Sequence, residues 1–423
     1  MNKVLIITYY WPPSGGAGVQ RWLKFSKYLP EFGWEPVILT VDPDYATYPA
    51  IDPSLEKDVP ASIEVFRTKA TDWFRFYKSD KSKIPSGGFA SNKDNSFKGK
   101  FFRFIRGNLF IPDPRRGWNR FAFKKACEII DKENIKHIIT TSPPHSTQLI
   151  GLKLKRRLPK LKWICDFRDP WTDIYYYRFF FHTSVAKYID SCYEKKVMRK
   201  ADRIISVGKT LAEMTASKIK DNASKIHIIS NGFDEEDFRD IQITDPQRFT
   251  LTYTGTISEA YPLDALINAL NKLKERGYDF LLRFVGTIPD TIKNQLTDLI
   301  SPQNVEFIGS IPHPEAVKYM ISSSVLLLLI PEHESARAII TGKIFEYIAT
   351  GKPVLFIGPV DGDAADYLRQ CGHTGIFSGK DDDEILRFLE STMKSAGSFT
   401  TVKNSEFLRS SLAGKLAGVL NKI

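Results

Sequence analysis

Short apolar runs alternate with amphipathic helical patterns along almost the whole chain. Six runs occur in the first half, at positions 4–8, 36–41, 137–141, 163–166, 203–207 and 225–229. Five more occur in the second half, at 249–254, 280–285, 305–308, 325–329 and 354–357. Runs of this length between helical patterns are typical of parallel strands joined by crossover helices. The pattern predicts an α/β protein built from two doubly wound, Rossmann-like domains.

The two series of strands are separated by an acidic, turn-rich passage. We expect an N-terminal domain at 1–231, a linker at 232–247, a C-terminal domain at 248–403 and a last helix at 404–423 that packs back across the boundary. A chain of 423 residues is long enough for two cores of ordinary size. If the two domains face each other, the carboxyl ends of both sheets meet at one cleft, where open α/β sheets bind ligands.

Positive charge is concentrated in the first half of the chain. Residues 1–240 contain 42 Lys and Arg against 28 Asp and Glu, and residues 65–125 contain 16 basic and four acidic residues interleaved with aromatic ones. Such a mixture suits an anionic membrane surface, although a solvated, partly disordered excursion or a nucleic-acid contact would use the same residue types. We expect a membrane partner and no nucleic acid.

Neither the cysteines nor the apolar runs indicate an exported protein. The four cysteines lie far apart, which argues against a zinc site and a disulfide framework. The N-terminal apolar run is too short for a signal or membrane-spanning segment, and no other run approaches about 18 apolar residues. We expect a cytoplasmic protein that is peripheral at the inner face of the cell membrane.

The segment 341–356, TGKIFEYIATGKPVLF, predicts a helix that presents its start to a phosphate. Thr341 is a suitable N-cap, Gly342 permits a close approach to the backbone, and Lys343 adds charge where the helix dipole already favours an anion. Glu346 projects from the same side. The alternative is an ordinary helix with a surface ion pair between Lys343 and Glu346.

A glycine loop follows the first strand. Gly15, Gly16 and Gly18 open a helix, as in an anion or ligand cradle, although a flexible loop without a ligand remains an alternative. The loop is not a dinucleotide fingerprint, because Arg21 occupies the place of the third glycine.

Charged residues follow two other strands of the first half. Asp166, Arg168 and Asp169 crowd one strand end, where they form either a structural clamp or a substrate contact. His145 stands at the start of a helix, where it either faces the cleft or acts as a cap.

Two DxD strings raise the question of a divalent metal. Asp42-Pro43-Asp44 and Asp361-Gly362-Asp363 are both better explained as turns. We therefore expect no bound metal.

Four motifs, in this order and spacing, carry a resemblance to a known family. They are SNGFD at 230–234, YTGTI at 253–257, VEFIGSIPHPE at 305–315 and GKIFEYIATGKPV at 342–354. Together they resemble glycosyltransferase family 4, whose members are retaining enzymes with the GT-B fold. The GGAG loop, SPPHS and DFRDPW resemble the subgroup that serves bacterial surface polysaccharide synthesis.

The resemblance implies transfer of a hexose-type sugar, with retention, from a UDP- or GDP-sugar to a saccharide or lipid-linked acceptor of capsule, exopolysaccharide or lipopolysaccharide synthesis. We expect the enzyme to use neither a metal nor another cofactor. The implied donor contacts are Gly255 and Thr256 at the diphosphate, Ile311 and Pro312 at the base, Lys343 at the phosphate, Glu346 at the ribose, and Gly15 and Gly16 from the other domain.

The remaining predicted roles concern chemistry and the acceptor. Catalysis is expected to rest on Lys343 with Arg168, Asp169 and Asp166. The acceptor is expected to contact Gly18 and His145.

The chain departs from the family pattern at the donor sugar. The family commonly has two glutamates eight positions apart, whereas this chain has Ala338 eight positions before Glu346. The contact to the sugar is then missing or comes from Glu332, Glu334 or Arg337.

No cation follows Gly255, so more of the phosphate charge falls to Lys343, to the start of its helix and to Arg168. Two other functions stay open: a nucleotide-sugar epimerase of the same fold, and a non-catalytic binding subunit.

Overall fold

The computed structural model describes residues 1–71, 97–239, 241, 246–395 and 405–423. The chain divides into two compact units. The first consists of Met1–Asn231 with Arg409–Ile423, and the second of Gly232–Leu408. Each unit has its own parallel sheet, and no helix of the described residues is long and apolar enough to cross a membrane.

The first unit contains a seven-stranded sheet in the order β3-β2-β1-β4-β5-β6-β7, and all neighbouring strands are parallel. The strands are β1 Asn2–Ile7, β2 Trp34–Val41, β3 Glu64–Thr68, β4 His137–Ser142, β5 Lys162–Phe167, β6 Arg203–Ser206 and β7 Ile226–Ile228. The helices that connect them are α1 Ala17–Tyr28, α2 Phe97–Leu109, α3 Asn119–Lys132, α4 Ser146–Arg157, α5 Ser184–Lys200 and α6 Lys209–Ile219. The order of strands reverses between β1 and β4, which makes this the switch point of the sheet.

The second unit repeats this plan with six parallel strands in the order β10-β9-β8-β11-β12-β13. The strands are β8 Phe249–Thr254, β9 Phe280–Val285, β10 Val305–Ile308, β11 Val325–Leu329, β12 Val354–Ile357 and β13 Ile376–Phe377. The helices are α7 Asp264–Glu275, α8 Asp290–Ile300, α9 His313–Ile321, α10 Lys343–Thr350, α11 Asp363–Gln370 and α12 Asp382–Lys394. Here the switch point lies between β8 and β11.

The central strands are buried on both faces. In β11 all five residues are fully buried, and in β1 the four residues from Val4 to Ile7 are as well. A parallel strand covered by helices on both sides needs apolar residues at every position, which is why these strands appear in the sequence as continuous apolar runs.

The chain ends in the first unit. Helix α13, Arg409–Leu420, places Leu412, Leu416 and Leu420 in the same apolar cluster as β1 and α1. Beyond the helix, Trp34 donates its indole N–H to the Asn421 side-chain oxygen at 3.0 Å. The last helix thus completes the core of the unit that contains the N-terminus.

The predicted fold class, two Rossmann-like parallel α/β domains, is confirmed. The five strands expected in the second unit match the structure residue for residue. Two strands were missed: β3, an edge strand whose residues are all at least partly exposed, and β13, which has two residues. Neither has a continuous apolar run, because neither is buried on both faces.

The predicted linker differs from the structure at its start. Residues 232–239 belong to the second unit, where the Phe233 amide donates to the Phe407 carbonyl at 3.0 Å. Of the basic segment 65–125, residues 72–96 lie outside the described part of the chain.

One close contact offers a test of the packing in the first unit. A Cβ built on Gly151 of α4 would lie 2.3 Å from the Trp163 ring of β5, and a hydrogen bond from that indole to Thr140 holds the ring in place. We expect Gly151→Ala to lower the free energy of unfolding by about 1–3 kcal/mol despite the better helix propensity of alanine. All seven tryptophans precede residue 232, so their fluorescence during urea unfolding reports on this unit.

Gly418→Ala on α13 is the matched control. A Cβ built there meets nothing within 4 Å, so the substitution should be neutral or stabilising by up to about 1 kcal/mol. Equal unfolding midpoints for the two variants would show that the α4 contact is not close-packed.

Candidate functional site

Lys343 lies at the carboxyl end of β8. Its ammonium donates to the Tyr253 hydroxyl at 2.6 Å and lies 3.9 Å from the centroid of the same ring, which is cation–π geometry. The Tyr253 hydroxyl in turn donates to the Thr256 carbonyl at 2.8 Å. Tyr253 therefore ties the first residue of α10 to the turn after β8, at the switch point of the second sheet.

This turn depends on two glycines. Gly255 has a φ of 102°, and a Cβ built on it would lie 3.1 Å from Cε of Lys343. Gly286, with a φ of 134°, approaches so closely that a Cβ there would lie 2.2 Å from the Gly255 carbonyl oxygen. The sequence predicted that Gly255 and Lys343 serve one ligand, and the structure places them in contact.

The helix that begins with Lys343 is anchored to the same strand. The Tyr347 hydroxyl is fully buried and accepts a hydrogen bond from the Thr254 amide at 2.9 Å. Burial raises the pKa of Tyr347. The hydroxyl thus remains neutral and fixes how closely α10 packs on β8.

The pKa of Lys343 lies close to neutral pH. Burial lowers its pKa to about 7, against a smaller opposite effect of Glu346. The residue keeps part of its surface accessible to solvent. An anion that bound beside it would favour the ammonium form and raise this pKa again.

Glu346 is the second polar residue on the accessible side of α10. Its Oε1 lies 3.0 Å from Nε2 of His313, and both side chains are 21% exposed. His313 is the first residue of α9, directly after Ile311 and Pro312. Glu346, predicted to meet the ribose, therefore contacts the residue that directly follows the two predicted to meet the base.

Lys343 and Glu346 have different partners, Tyr253 and His313. The alternative of an ordinary surface ion pair between them is therefore wrong.

Two predicted donor residues are placed differently. Thr341 is not the N-cap: Gly342 occupies that position in a helical conformation, and the buried Thr341 hydroxyl has no hydrogen-bond partner among the described residues. Arg337 pairs with Asp361 at 3.0 Å on the surface, and its side chain is 44% exposed. An ion pair to a neighbouring turn accounts for this arginine without a sugar.

Glu332, another candidate for the contact to the donor sugar, is also engaged by the protein, and position 338 itself offers no polar side chain. Ala338 is buried, and Glu332 accepts a hydrogen bond from the Gly379 amide at 2.5 Å. Glu332 thus serves a loop of its own unit.

In the first unit, Asp166 belongs to a buried clamp. Its carboxylate accepts hydrogen bonds from Arg21 at 2.9 Å, the Trp22 indole at 2.9 Å and the Thr141 hydroxyl at 2.8 Å, and neither Asp166 nor Arg21 is exposed at all. Arg21 also donates to the carbonyls of residues 229 and 230. This corrects the catalytic role expected of Asp166, which instead positions α1 against the sheet.

Arg168 is likewise occupied by the protein. Its guanidinium donates to the carbonyls of Gly18 at 2.6 Å, Ser142 at 3.1 Å and Pro143 at 2.9 Å. A Cβ built on Gly18 would lie 3.2 Å from this guanidinium. Gly18 therefore has a structural reason to be glycine, and the catalytic role predicted for Arg168 gives way to a positioning one.

Asp169 is the member of the DFRD group that remains partly accessible. Burial raises the pKa of its carboxyl group, and Arg168 opposes this shift. Asp169 thus stays a candidate for contact with a substrate.

His145 stacks on Trp171, with ring centroids 4.9 Å apart and planes inclined by 12°. It occupies the N-cap position of α4 without capping through its side chain. Burial, with Lys218 and Arg168, lowers its pKa to about 3. The ring is neutral at physiological pH, and its contact with an acceptor remains a prediction.

The glycine loop after β1 is held in place. The Gly15 amide donates to the Ala50 carbonyl at 2.9 Å, and the Asp52 amide donates to the Pro13 carbonyl at 2.8 Å. Gly16, with a φ of 91°, is the N-cap of α1. The contact of Gly15 and Gly16 with a donor remains a prediction.

The described residues contain no cluster of three His, Cys, Asp or Glu side chains that is suited to a metal ion. Asp42 of the first DxD string accepts from the Asp44 amide at 3.0 Å, and Asp361 of the second pairs with Arg337. Both strings form turns, as predicted.

Sequence reasoning missed the roles of several residues. Tyr253 and His313 both lie inside motifs that were singled out, so their strand-end positions were a usable signal. Arg21 was noted only as a residue that breaks the glycine fingerprint, and nothing in its surroundings along the chain indicates that it pairs with Asp166, 145 positions later.

Two family models match the chain. Residues 88–237 match Glycosyltransferase Family 4, and residues 248–392 match Glycosyl transferases group 1. The matched segments together span more than half of the chain. No curated protein sequence matches it.

Several solved structures share the fold. HepE from Anabaena, in complex with UDP, aligns over 100% of both chains with 12% identity and a TM-score of 0.63. Sucrose-phosphate synthase from Thermosynechococcus elongatus aligns over 100% of this chain and 99% of its own, with 14% identity and a TM-score of 0.63. The lipopolysaccharide outer core galactosyltransferase WaaB aligns over 100% and 99%, with 12% identity and a TM-score of 0.61. The two family matches and the shared architecture identify the chain as a GT-B glycosyltransferase, with a family 4 domain followed by a group 1 domain.

Proposed function

We propose that this enzyme transfers a hexose-type sugar, with retention and without a metal, from a UDP- or GDP-sugar to a saccharide or lipid-linked acceptor in cell-surface polysaccharide synthesis. The observation that carries the proposal is the contact between Lys343 and the glycine turn at Gly255. A desolvated ammonium, a helix start and an open strand-end turn are the features that a diphosphate requires. The structure of HepE with UDP is consistent with a nucleotide at such a fold.

Negative charge grows on the leaving diphosphate as the bond to the sugar breaks. Lys343 would stabilise this charge more strongly in the transition state than in the ground state, together with backbone N–H groups of the first turn of α10. Glu346, oriented by His313, would accept hydrogen bonds from the ribose hydroxyls. In this proposal the ammonium and the helix start together take the place of a divalent cation at the leaving group.

The family matches favour transfer over epimerisation of a nucleotide sugar. The assignment to surface polysaccharides rests on the resemblance of the GGAG, SPPHS and DFRDPW segments, and similarity of fold to WaaB agrees with it.

The membrane contact is proposed at an aromatic patch formed by α2 and residues 181–189. Exposed apolar side chains of the patch are Phe101, Phe102, Phe104 and Leu109 on α2, and Phe181, Val185, Tyr188 and Ile189 after it. The Thr183 amide donates to the Asn108 side chain at 2.7 Å, and Arg103 lies 5.6 Å from the Phe181 ring. Aromatic side chains with adjacent Lys and Arg suit the interface of an anionic bilayer.

Replacement of Lys343 tests the donor site. Lys343→Ala should lower turnover by about two orders of magnitude, because the charge on the leaving group is then uncompensated. Turnover is measured as release of nucleoside diphosphate from UDP- and GDP-sugars with membrane lipid extract as acceptor. Lys352→Ala, after the other end of α10, is the matched control, and near-normal turnover of the Lys343 variant with saturating donor would refute the assignment.

The pKa of Lys343 predicts a pH dependence of nucleotide binding. A base whose pKa is lowered to about 7 loses its positive charge as the pH rises through that value. The affinity for UDP or GDP, measured by calorimetry, should therefore fall between pH 7 and 9. Lys343→Arg keeps its charge over this range and should remove the slope. The same slope in both proteins would mean that another group titrates.

The aromatic patch predicts binding to anionic vesicles. The protein should sediment with phosphatidylglycerol vesicles at low salt and less so at high salt, since salt screens the Lys and Arg contribution. Replacing Leu109 and Tyr188 together by Ser should reduce sedimentation. Leu299→Ser, a similarly exposed leucine of the second unit, should not. No sedimentation of the unmodified protein would end this part of the proposal.

A further inference from the structure

Arg115 is a buried cation whose side chain makes few hydrogen bonds within the described residues. The residue is 7% exposed; its Nη2 donates to the Thr47 carbonyl at 3.3 Å, and its buried Nε has no hydrogen-bond partner in the described part of the chain. Within the described residues, no carboxylate lies at ion-pair distance from it. Asp113, two positions earlier, uses its oxygens for the Arg115 amide and for the amide and hydroxyl of Ser146. A guanidinium in this state favours an anion from outside the chain.

A second guanidinium lies near it. Arg106 of α2 stands 4.5 Å from the centroid of the Phe180 ring and is partly buried. Burial and then repulsion from Arg115 lower the pKa of Arg106 to about 10. Tyr10 and Tyr176 interact electrostatically with both arginines. Two guanidinium groups that interact electrostatically with each other and with the same two phenols can hold an anion with more than one charge.

Arg115 lies at the switch point of the first sheet. Asp113 fastens the segment to Ser146 at the start of α4. Thr47, which accepts from Arg115, donates its amide to the Tyr9 hydroxyl at 3.0 Å, just beyond β1. Ligands of open α/β sheets bind at this place.

The arginine pair also borders an apolar surface. Arg106 is on α2, between Phe102 and Leu109 of the aromatic patch, which are 45% and 72% exposed. Phe180, beneath Arg106, directly precedes Phe181 of the same patch. An anion site next to an exposed apolar surface matches a ligand with a phosphate head and a hydrocarbon chain.

We propose that Arg106 and Arg115 bind the phosphate or diphosphate of a lipid-linked acceptor whose hydrocarbon chain lies along the aromatic patch. Guanidinium groups recognise phosphate through paired N–H donors, and two of them suit a diphosphate. The inference rests on the proposed transferase function and specifies the acceptor class.

Three probes separate the phosphate from the chain. Binding of farnesyl diphosphate, farnesol and inorganic pyrophosphate to the full chain is measured by calorimetry, with UDP as a reference for the donor site. We expect farnesyl diphosphate to bind more tightly than either pyrophosphate or farnesol, because only it engages both the arginines and the patch. Binding of farnesol equal to that of farnesyl diphosphate would overturn the proposal.

Arg106→Gln and Arg115→Gln should each weaken farnesyl diphosphate binding by about tenfold or more, with UDP binding unchanged. Arg116→Gln is the matched control, since this exposed neighbour donates to the Ile111 carbonyl and should leave the affinity as it is. Arg106 is only partly buried, so its variant carries the test even if the Arg115 variant does not fold.

The outcomes distinguish this inference from the donor proposal. The inference would be overturned if Arg106→Gln bound farnesyl diphosphate with unchanged affinity. It would also be overturned if UDP displaced farnesyl diphosphate and Lys343→Ala lost the binding of both ligands. Absence of UDP binding, with arginine-dependent binding of farnesyl diphosphate intact, would instead refute the donor site alone.

Discussion

A buried positive charge has to be met by oxygen atoms of the protein or by an anion from outside, and this constraint separates the structural from the functional cations of the chain. The protein itself supplies the hydrogen-bond acceptors of Arg21 and Arg168. Arg21 donates to Asp166 and backbone carbonyls, and Arg168 donates to three carbonyls. Among the described residues, the ammonium of Lys343 contacts the hydroxyl and the ring of Tyr253, and the guanidinium of Arg115 donates to one carbonyl. The first two hold elements together, whereas the last two have unused capacity for a ligand.

The position of Lys343 depends on the backbone around it. Lys343 can approach the end of β8 only because Gly255 has no side chain, and Gly255 can turn there only because Gly286 leaves room for its carbonyl. Tyr253 offers a hydroxyl and a ring face but no negative charge, so it contacts the partly buried ammonium without forming an ion pair. The lowered pKa of Lys343 follows from this arrangement.

The first unit shows the same distinction between structural and functional charges. The DFRDPW segment was expected to act on a substrate, but Asp166 and Arg168 are saturated by the chain, and Asp169 alone keeps access to solvent. The buried cation with few hydrogen bonds is instead Arg115, which interacts electrostatically with Arg106 on α2. Because α2 also presents exposed aromatic rings, charge and apolar surface meet on one helix.

Much of the architecture is determined by local composition. Strands buried on both faces must be apolar throughout, which made β11 and β12 predictable to the residue, while the edge strand β3 lacked the signal. The contact between Lys343 and Gly255 was also predictable, because the carboxyl ends of parallel strands converge whatever the intervening helices contain.

The tertiary structure alone decided the partners of the polar side chains. Arg21 meets carbonyls more than 200 positions away, His145 meets the ring of Trp171, and the aromatic patch joins α2 to residues 181–189. Burial and distance in space determine these partners. The order of residues along the chain shows only the periodicity of each strand and helix and the motifs at their ends.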